Sequence, residues 1–207
     1  MKKQTVIILS LAVIAMVAVN ELVIKNDKAS SKTAGAVVST AKQKPTGKAL
    51  IGGEFELVDQ NGNKFTDKNL LGKYSLVYFG FTHCPMICPT ALSNISLALA
   101  ELGEDAQKFQ TIFITADPER DTEARMKEWL QSFKGDIIGL TGSTEQTNKA
   151  AEKYKVYAQK LKPDSTGNYD MNHTSIIYLM DRNGEFITHF SHETPVETLV
   201  AALKKYE

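Results

Sequence analysis

Cys84 and Cys88 are the only cysteines in a chain of 207 residues, and three positions separate them. They lie within residues 76–102, LVYFGFTHCPMICPTALSNISLALAEL. If the backbone between them is helical, two thiols four positions apart stand on one side of a turn, roughly 5–6 Å apart at Cβ. That arrangement suits a disulfide, whose Cβ atoms need about 3.5–4.5 Å, or one metal ion held by both sulfurs. In either case the working form is the thiolate. A strand-to-helix junction favours it, because the unpaired N–H groups of the first turn and the helix dipole stabilise an anion. A plain structural disulfide is the blander alternative, and a loop this short gains little from cross-linking.

The flanking residues predict such a junction. Leu76, Val77, Tyr78 and Phe79 form the apolar, aromatic-rich run of a buried strand. From Pro89, which suits a first helical position, Leu92, Ile95, Leu99 and Leu102 form one stripe of an amphipathic helix. Gly103 then stands where a left-handed cap belongs. Upstream, Phe55, Leu57, the Asn61-Gly62 turn and Phe65 predict a β-hairpin. Downstream, residues 111–115 (TIFIT) read as a strand. Asp121 is placed to cap a helix carrying Met126, Trp129, Leu130 and Phe133. A short strand follows over 137–140, then a capping box of Ser143 and Gln146 opening a helix to about Tyr154. Residues 155–161 read as an edge strand, 174–180 (TSIIYLM) as a buried strand and 185–190 as its hairpin partner. Thr194-Pro195 with Glu197 opens a last helix with Val196, Leu199, Val200 and Leu203 inward. This order is that of an α/β, thioredoxin-like sandwich with an N-terminal β-hairpin, whose ligands are expected at the carboxyl ends of the strands.

A third ligating group comes from far along the chain. Of four histidines, His173 directly precedes the 174–180 strand, and in such a sheet the start of that strand lies beside the cysteine loop. Two thiolates and an imidazole make a soft, copper-compatible set, Cu(I) preferring sulfur and Cu(II) tolerating nitrogen. The same set would also serve catalytic zinc. His83 adjoins Cys84 but points away from it in an extended strand end, and His189 and His192 read as surface residues near the last hairpin.

The N-terminus has a different character. Met1-Lys2-Lys3 precedes an apolar run reaching Ile24, read as an uncleaved signal anchor (residues 1–24) in preference to a cleaved signal peptide, because no A-x-A site follows. Residues 25–49, without period, read as a flexible tether of roughly 25–30 Å end to end. Residues 50–207 form the domain. They hold 16 basic and 22 acidic residues, a net of −6, and an acidic domain without a basic patch argues against nucleic acid as a partner. The domain is expected outside the cytoplasm, on the periplasmic side of an inner membrane or, in a eukaryote, on the mitochondrial intermembrane-space side.

FGFTHCPMICPTAL, the DPERDT run at 117–122 and NHTSIIYLMDRNGEF at 172–186 together resemble the SCO/SenC family of copper proteins, over about residues 52–205. The resemblance implies a membrane-anchored thioredoxin-like metallochaperone, not primarily an enzyme, that helps assemble the copper A centre of cytochrome c oxidase. It implies one copper, Cu(I) or Cu(II), held by Cys84, Cys88 and His173 and passed to oxidase subunit II. Other copper chaperones or thiol reductants are the further partners implied. Two positions depart from the family pattern: Met86 stands where an Asp is common, and Asn172 replaces the Asp usual beside the histidine. Met86 is read as an exposed or packing residue in preference to a weak soft ligand, and Asp117 either as support for the metal site or as a turn leading into a helix. The alternative is a membrane-anchored thiol–disulfide oxidoreductase acting on cysteines of oxidase subunit II or other envelope proteins. Against it stand the three-residue spacing and the lack of a proline before Thr174.

Overall fold

Strand β3 (Tyr74–Gly80) is buried from Ser75 onward, and its alternation sorts the interior into two halves. Leu76 and Tyr78 enter one hydrophobic cluster, Val77 and Phe79 the other. A strand buried on both faces reads as a near-continuous apolar run, as this one does from Leu76 to Phe79. It pairs in parallel with β4 (Phe109–Thr115), which pairs in parallel with β5 (Ile137–Thr141). Beyond β5 lie β1 (Glu56–Asp59) and β2 (Lys64–Thr66), the expected N-terminal hairpin. On the other side β3 takes β8 (Ile176–Met180) and then β9 (Phe186–Ser191), both antiparallel. The seven-stranded order is β2-β1-β5-β4-β3-β8-β9.

Among the described residues four α-helices cover the sheet: α1 (Ile87–Glu101), α2 (Glu123–Leu130), α3 (Thr144–Lys153) and α4 (Val196–Leu203). Leu92 and Ile95 of α1, Met126 of α2 and Leu199 and Leu203 of α4 join Leu76 and Tyr78 in one cluster. Ala150 and Ala151 of α3 join Val77 and Phe79 in the other, with Phe55, Leu57 and Phe65 from the hairpin region. The result is the α/β thioredoxin-like sandwich that the pattern predicts. The computed structural model describes residues 50–206; the expected anchor (1–24) and tether (25–49) lie outside the described residues. Among the described residues no helix is long and apolar enough to cross a membrane.

Several local expectations shift. Helix α1 starts at Ile87, with Met86 as its N-cap, so Cys88 lies in the first turn and Pro89 takes the third helical position. Proline is tolerated there because the first four N–H groups have no intrahelical acceptor. Gly103 does follow the helix in a left-handed conformation, φ +60°. Helix α2 is capped by the Thr122 hydroxyl, which accepts from the Arg125 N–H at 3.2 Å, and not by Asp121, which turns inward. The Ser143–Gln146 box caps α3 as expected. No box forms at α4: Pro195 is the N-cap and makes no side-chain cap bond.

The edge strand expected over 155–161 contracts to β6 (Ala158–Lys160). It pairs with β7 (Met171–His173) as a separate two-stranded sheet and not with the main one. The buried strand accordingly starts at Ile176, because Thr174 is tied elsewhere. Its N–H donates to the Tyr157 carbonyl and its hydroxyl accepts from the Tyr157 N–H.

Candidate metal centre

Local geometry makes the two thiols unequal. The Cys84 N–H donates to the Phe81 carbonyl at 3.2 Å, closing a tight turn at the end of β3. Cys88, one turn later on α1, donates its own N–H to Cys84 Sγ at 3.4 Å. The Cys88 thiol also donates to Cys84, and that bond leads the forces holding the Cys84 pKa far below the ordinary thiol range; His173 and the N–H groups of Cys88 and Met86 add to it against the opposing cost of burial. The shared proton and burial push Cys88 upward. One thiolate and one thiol is the ground state that these contacts favour. Tyr78 donates its hydroxyl to Cys88 Sγ at 3.9 Å, and burial holds the phenol neutral.

The space for Cys88 is made by a glycine. A Cβ on Gly80 would lie 2.7 Å from Cys88 Sγ and 2.9 Å from Phe113 Cε2. Gly80 therefore has to lack a side chain so that the thiol can sit against the sheet. A glycine closing a buried strand was the sequence signal, since such residues mark close approach.

His173 arrives from the β7 end of the small hairpin. Its Nε2 is 3.6 Å from Cys88 Sγ. Its Nδ1 lies 3.1 Å from the Thr174 carbonyl; in the tautomer that donates a hydrogen bond there, Nε2 turns a lone pair toward the sulfurs, the form a metal would take, whereas the other tautomer donates from Nε2 toward the thiolate. Phe81 and Tyr78 hold the imidazole edge-on, at centroid distances of 5.6 and 6.4 Å. Cys84 Sγ, Cys88 Sγ and a ring nitrogen of His173 all lie within 4.8 Å of one another. Metal–sulfur and metal–nitrogen bonds of about 2.3 and 2.0 Å put three such donors around one ion with only small adjustment. The donor set is soft and suits copper.

Two networks surround the site; of their members the sequence offers only Asp117, as support for the metal site or as a turn, and Asp121, as a helix cap. Asp121 is fully buried. It accepts from the Thr82 N–H at 3.0 Å, the Thr82 hydroxyl at 2.6 Å and the Thr115 hydroxyl at 2.6 Å. It thereby joins the base of the cysteine loop to the end of β4. Asp117 belongs to the second network and does not touch the thiols. Arg120 Nε meets Asp117 Oδ2 at 2.5 Å, its guanidinium sits 3.7 Å from the Tyr169 ring centroid, and Nη1 donates to the Tyr169 carbonyl. The Tyr169 hydroxyl donates to Asp117 at 2.9 Å. Since Tyr169 precedes β7, the DPERDT run fastens the hairpin that carries His173. No local period encodes either network. The only cue was a cluster of charges beside a proline.

The other flagged residues fall where their chemistry directs. His83 faces away from the thiols, its Nδ1 3.2 Å from the Thr82 hydroxyl and 3.7 Å from Asp121. His189 is exposed and His192 half-buried beside Glu193. Met86 is 70% exposed, which settles it as a surface and not a packing residue. Asn172 is exposed as well. Both border a cavity of about 210 Å³ that opens onto Cys84 and His173.

A fold and a site of this kind invite comparison with known proteins. The family model described as SCO1/SenC matches residues 43–207. The chain belongs to the SCO1/SenC family. Within that family it is 42% identical to a SCO2-like protein of Rickettsia felis over 155 residues, 74% of this chain and 76% of the relative. It is 41% identical to mitochondrial protein SCO1 of Saccharomyces cerevisiae over 168 residues, 77% of this chain but 56% of the yeast protein. Among solved structures, Bradyrhizobium japonicum ScoI with copper bound superposes with a TM-score of 0.71 at 49% identity, covering 76% of this chain and 99% of that one. The SCO1/SenC membership accords with the thioredoxin-like sheet described above.

Proposed function

We propose that this protein is a copper-binding chaperone that helps assemble the copper A centre of cytochrome c oxidase, with Cys84, Cys88 and His173 as the ligands of one copper ion. The observation that carries the reading is the convergence of two sulfurs and one imidazole nitrogen within 4.8 Å, in a chain 49% identical to a ScoI solved with copper bound. Copper is the cargo. The reduced dithiol holds Cu(I) through both sulfurs, with Nε2 of His173 completing a trigonal set, and Cu(II) with a further oxygen ligand. Oxidation of the thiolate–thiol pair to a disulfide, with loss of two electrons and one proton, withdraws both sulfurs as ligands, so the redox state of the cysteines gates loading. Protons compete with the metal for the sulfur and nitrogen donors, so binding weakens as pH falls.

In this reading residues 1–24 anchor the protein in the inner membrane and residues 25–49 tether the domain of residues 50–207. The domain faces the periplasm or, in a mitochondrion, the intermembrane space, within reach of oxidase subunit II and of the copper donors and thiol reductants that serve it. The test is copper binding by the reduced full-length protein and by Cys84→Ser, Cys88→Ser and His173→Ala. One copper per chain is expected, with a thiolate-to-Cu(II) charge-transfer band lost or shifted in every variant. Specific stoichiometry retained in all three variants would overturn the assignment.

The unequal thiols also support a second reading, thiol–disulfide exchange. Cys84 is the nucleophile that such chemistry needs, and Cys88 is a protonated thiol one turn away able to resolve the mixed disulfide. Rapid turnover of a disulfide substrate by a protein that binds no specific copper would favour it.

A further inference from the structure

Cys88 is fully buried and Cys84 is 7% exposed, so an ion held between them and His173 lies below the surface. Whatever delivers or removes it must work through the cavity opening. One lip of that opening is made by Pro85, Met86 and Ile87 of the cysteine loop, the other by Asp170, Met171 and Asn172 of the hairpin. Only the two methionines among these six offer a soft donor. Their situations differ. Met171 is half-buried and packs on the main core, whereas Met86 is 70% exposed.

A single exposed apolar side chain needs no explanation in itself. Met86 is distinguished by position and by tethering. It lies between the two cysteines, and its own N–H bonds the Cys84 sulfur, which fixes its backbone against the site. Its side chain makes no capping bond although Met86 is the N-cap of α1, a position where small polar residues serve better. Three rotatable bonds and a polarisable thioether leave it free to swing over the opening.

We propose that Met86 is a transient copper(I) ligand, a stepping position between the buried site and an incoming donor or acceptor. The inference rests on the copper-chaperone reading above. In release, a bond from copper to thioether sulfur forms as one bond to a thiolate breaks. The metal remains Cu(I) throughout, and the freed thiolate takes a proton from water. Uptake is the same path reversed. A thioether is neutral and soft, so it serves Cu(I) and does little for Cu(II). Because Met86 acts between the end states, it changes rates in both directions equally and leaves the equilibrium affinity alone.

The experiment uses reduced full-length protein loaded with Cu(I), mixed by stopped flow with bathocuproine disulfonate as the acceptor. Met86→Leu keeps the size and the exposed apolar character but removes the sulfur. Its release is expected to slow about fivefold or more, a change of about 1 kcal/mol in barrier, with Cu(I) affinity and the Cu(II) EPR spectrum unchanged. Met86→Asp, which supplies only a hard oxygen donor, is expected to be slow as well. Equal release rates in wild type and Met86→Leu would overturn the stepping role while leaving the chaperone reading intact. A wild-type protein that holds no Cu(I) would overturn both.

Discussion

At the scale of single residues, the site depends on one side chain that is absent and one proton that is shared. Gly80 leaves room for the Cys88 thiol, and a Cβ there would fall 2.7 Å from the sulfur. Neither the strand backbone nor the first turn of α1 can give way cheaply. Gly80→Ala is therefore expected to destabilise the apo domain by about 1–3 kcal/mol and to lower copper affinity by displacing Cys88, as thermal melts and titration would show; an unchanged melting temperature would contradict the packing argument. The shared proton makes a second expectation. The Cys84 pKa is lowered and that of Cys88 raised, so Cys84 remains a thiolate as the pH falls while Cys88 remains a thiol as it rises. An ordinary cysteine titrates near about 8.5 and loses about tenfold in thiolate for each pH unit below that. Alkylation by iodoacetamide, followed by peptide mass spectrometry, should modify Cys84 first at a rate nearly flat between about pH 6 and 8. A tenfold drop per unit across that window would refute the assignment.

At the scale of elements, the hairpin β6–β7 stands apart from the main sheet, yet it carries His173. Its position depends on the link through Tyr157 and Thr174 and on the clamp of Tyr169 by Arg120 and Asp117. Lys160 adds its ammonium 3.9 Å from the same ring. Tyr169→Ala removes the stacked ring and the hydroxyl bond together, at a cost of about 1–3 kcal/mol. Hydrogen exchange should show the loss as faster exchange in residues 158–173 with the main sheet still protected. Cu(II) binding, which needs the imidazole, should weaken more than Cu(I) binding, which the two sulfurs dominate. Uniform loss of protection across the whole domain would mean that the cluster is general scaffolding. The cysteine loop is held differently, by the buried Asp121 carboxylate that takes three donors from Thr82 and Thr115, so the two halves of the site are fastened by separate parts of the DPERDT run.

At the scale of the whole molecule, the fold is stable without the site closed. Both hydrophobic clusters are complete without His173, which is only half-buried. His173→Ala is thus expected to shift the melting temperature of the apo protein by less than about 4 °C while greatly weakening Cu(II) binding. A large loss of apo stability with copper affinity unchanged would sink the ligand role. By linkage, copper should raise the melting temperature of the wild type more than that of the variant.

Much of this molecule was legible in its residues. The apolar run of β3, the stripe of α1, the Ser143–Gln146 box and the Asn61-Gly62 turn each carry a local period or local chemistry, and each forms where it predicts. The two cysteines are four residues apart, so a strand followed by a helix was enough to place them together. Their third partner was legible only as a candidate. His173 lies 85 residues from Cys88, and what brings them to 3.6 Å is the pairing of β8 beside β3 together with the clamp on the hairpin. Asp121 looked like a helix cap and became a buried acceptor, because Thr82, just past β3, and Thr115, at the end of β4, meet it while Thr122 takes the cap. The sequence by itself determined the main-sheet strands, the helices and where the thiols stand, since those follow from neighbours a few residues away, but not β7 or its pairing with β6. The meeting of imidazole and sulfur, the space at Gly80 and the inward turn of Asp121 were decided only by the tertiary structure, because non-local packing chooses among geometries that local propensity leaves equal.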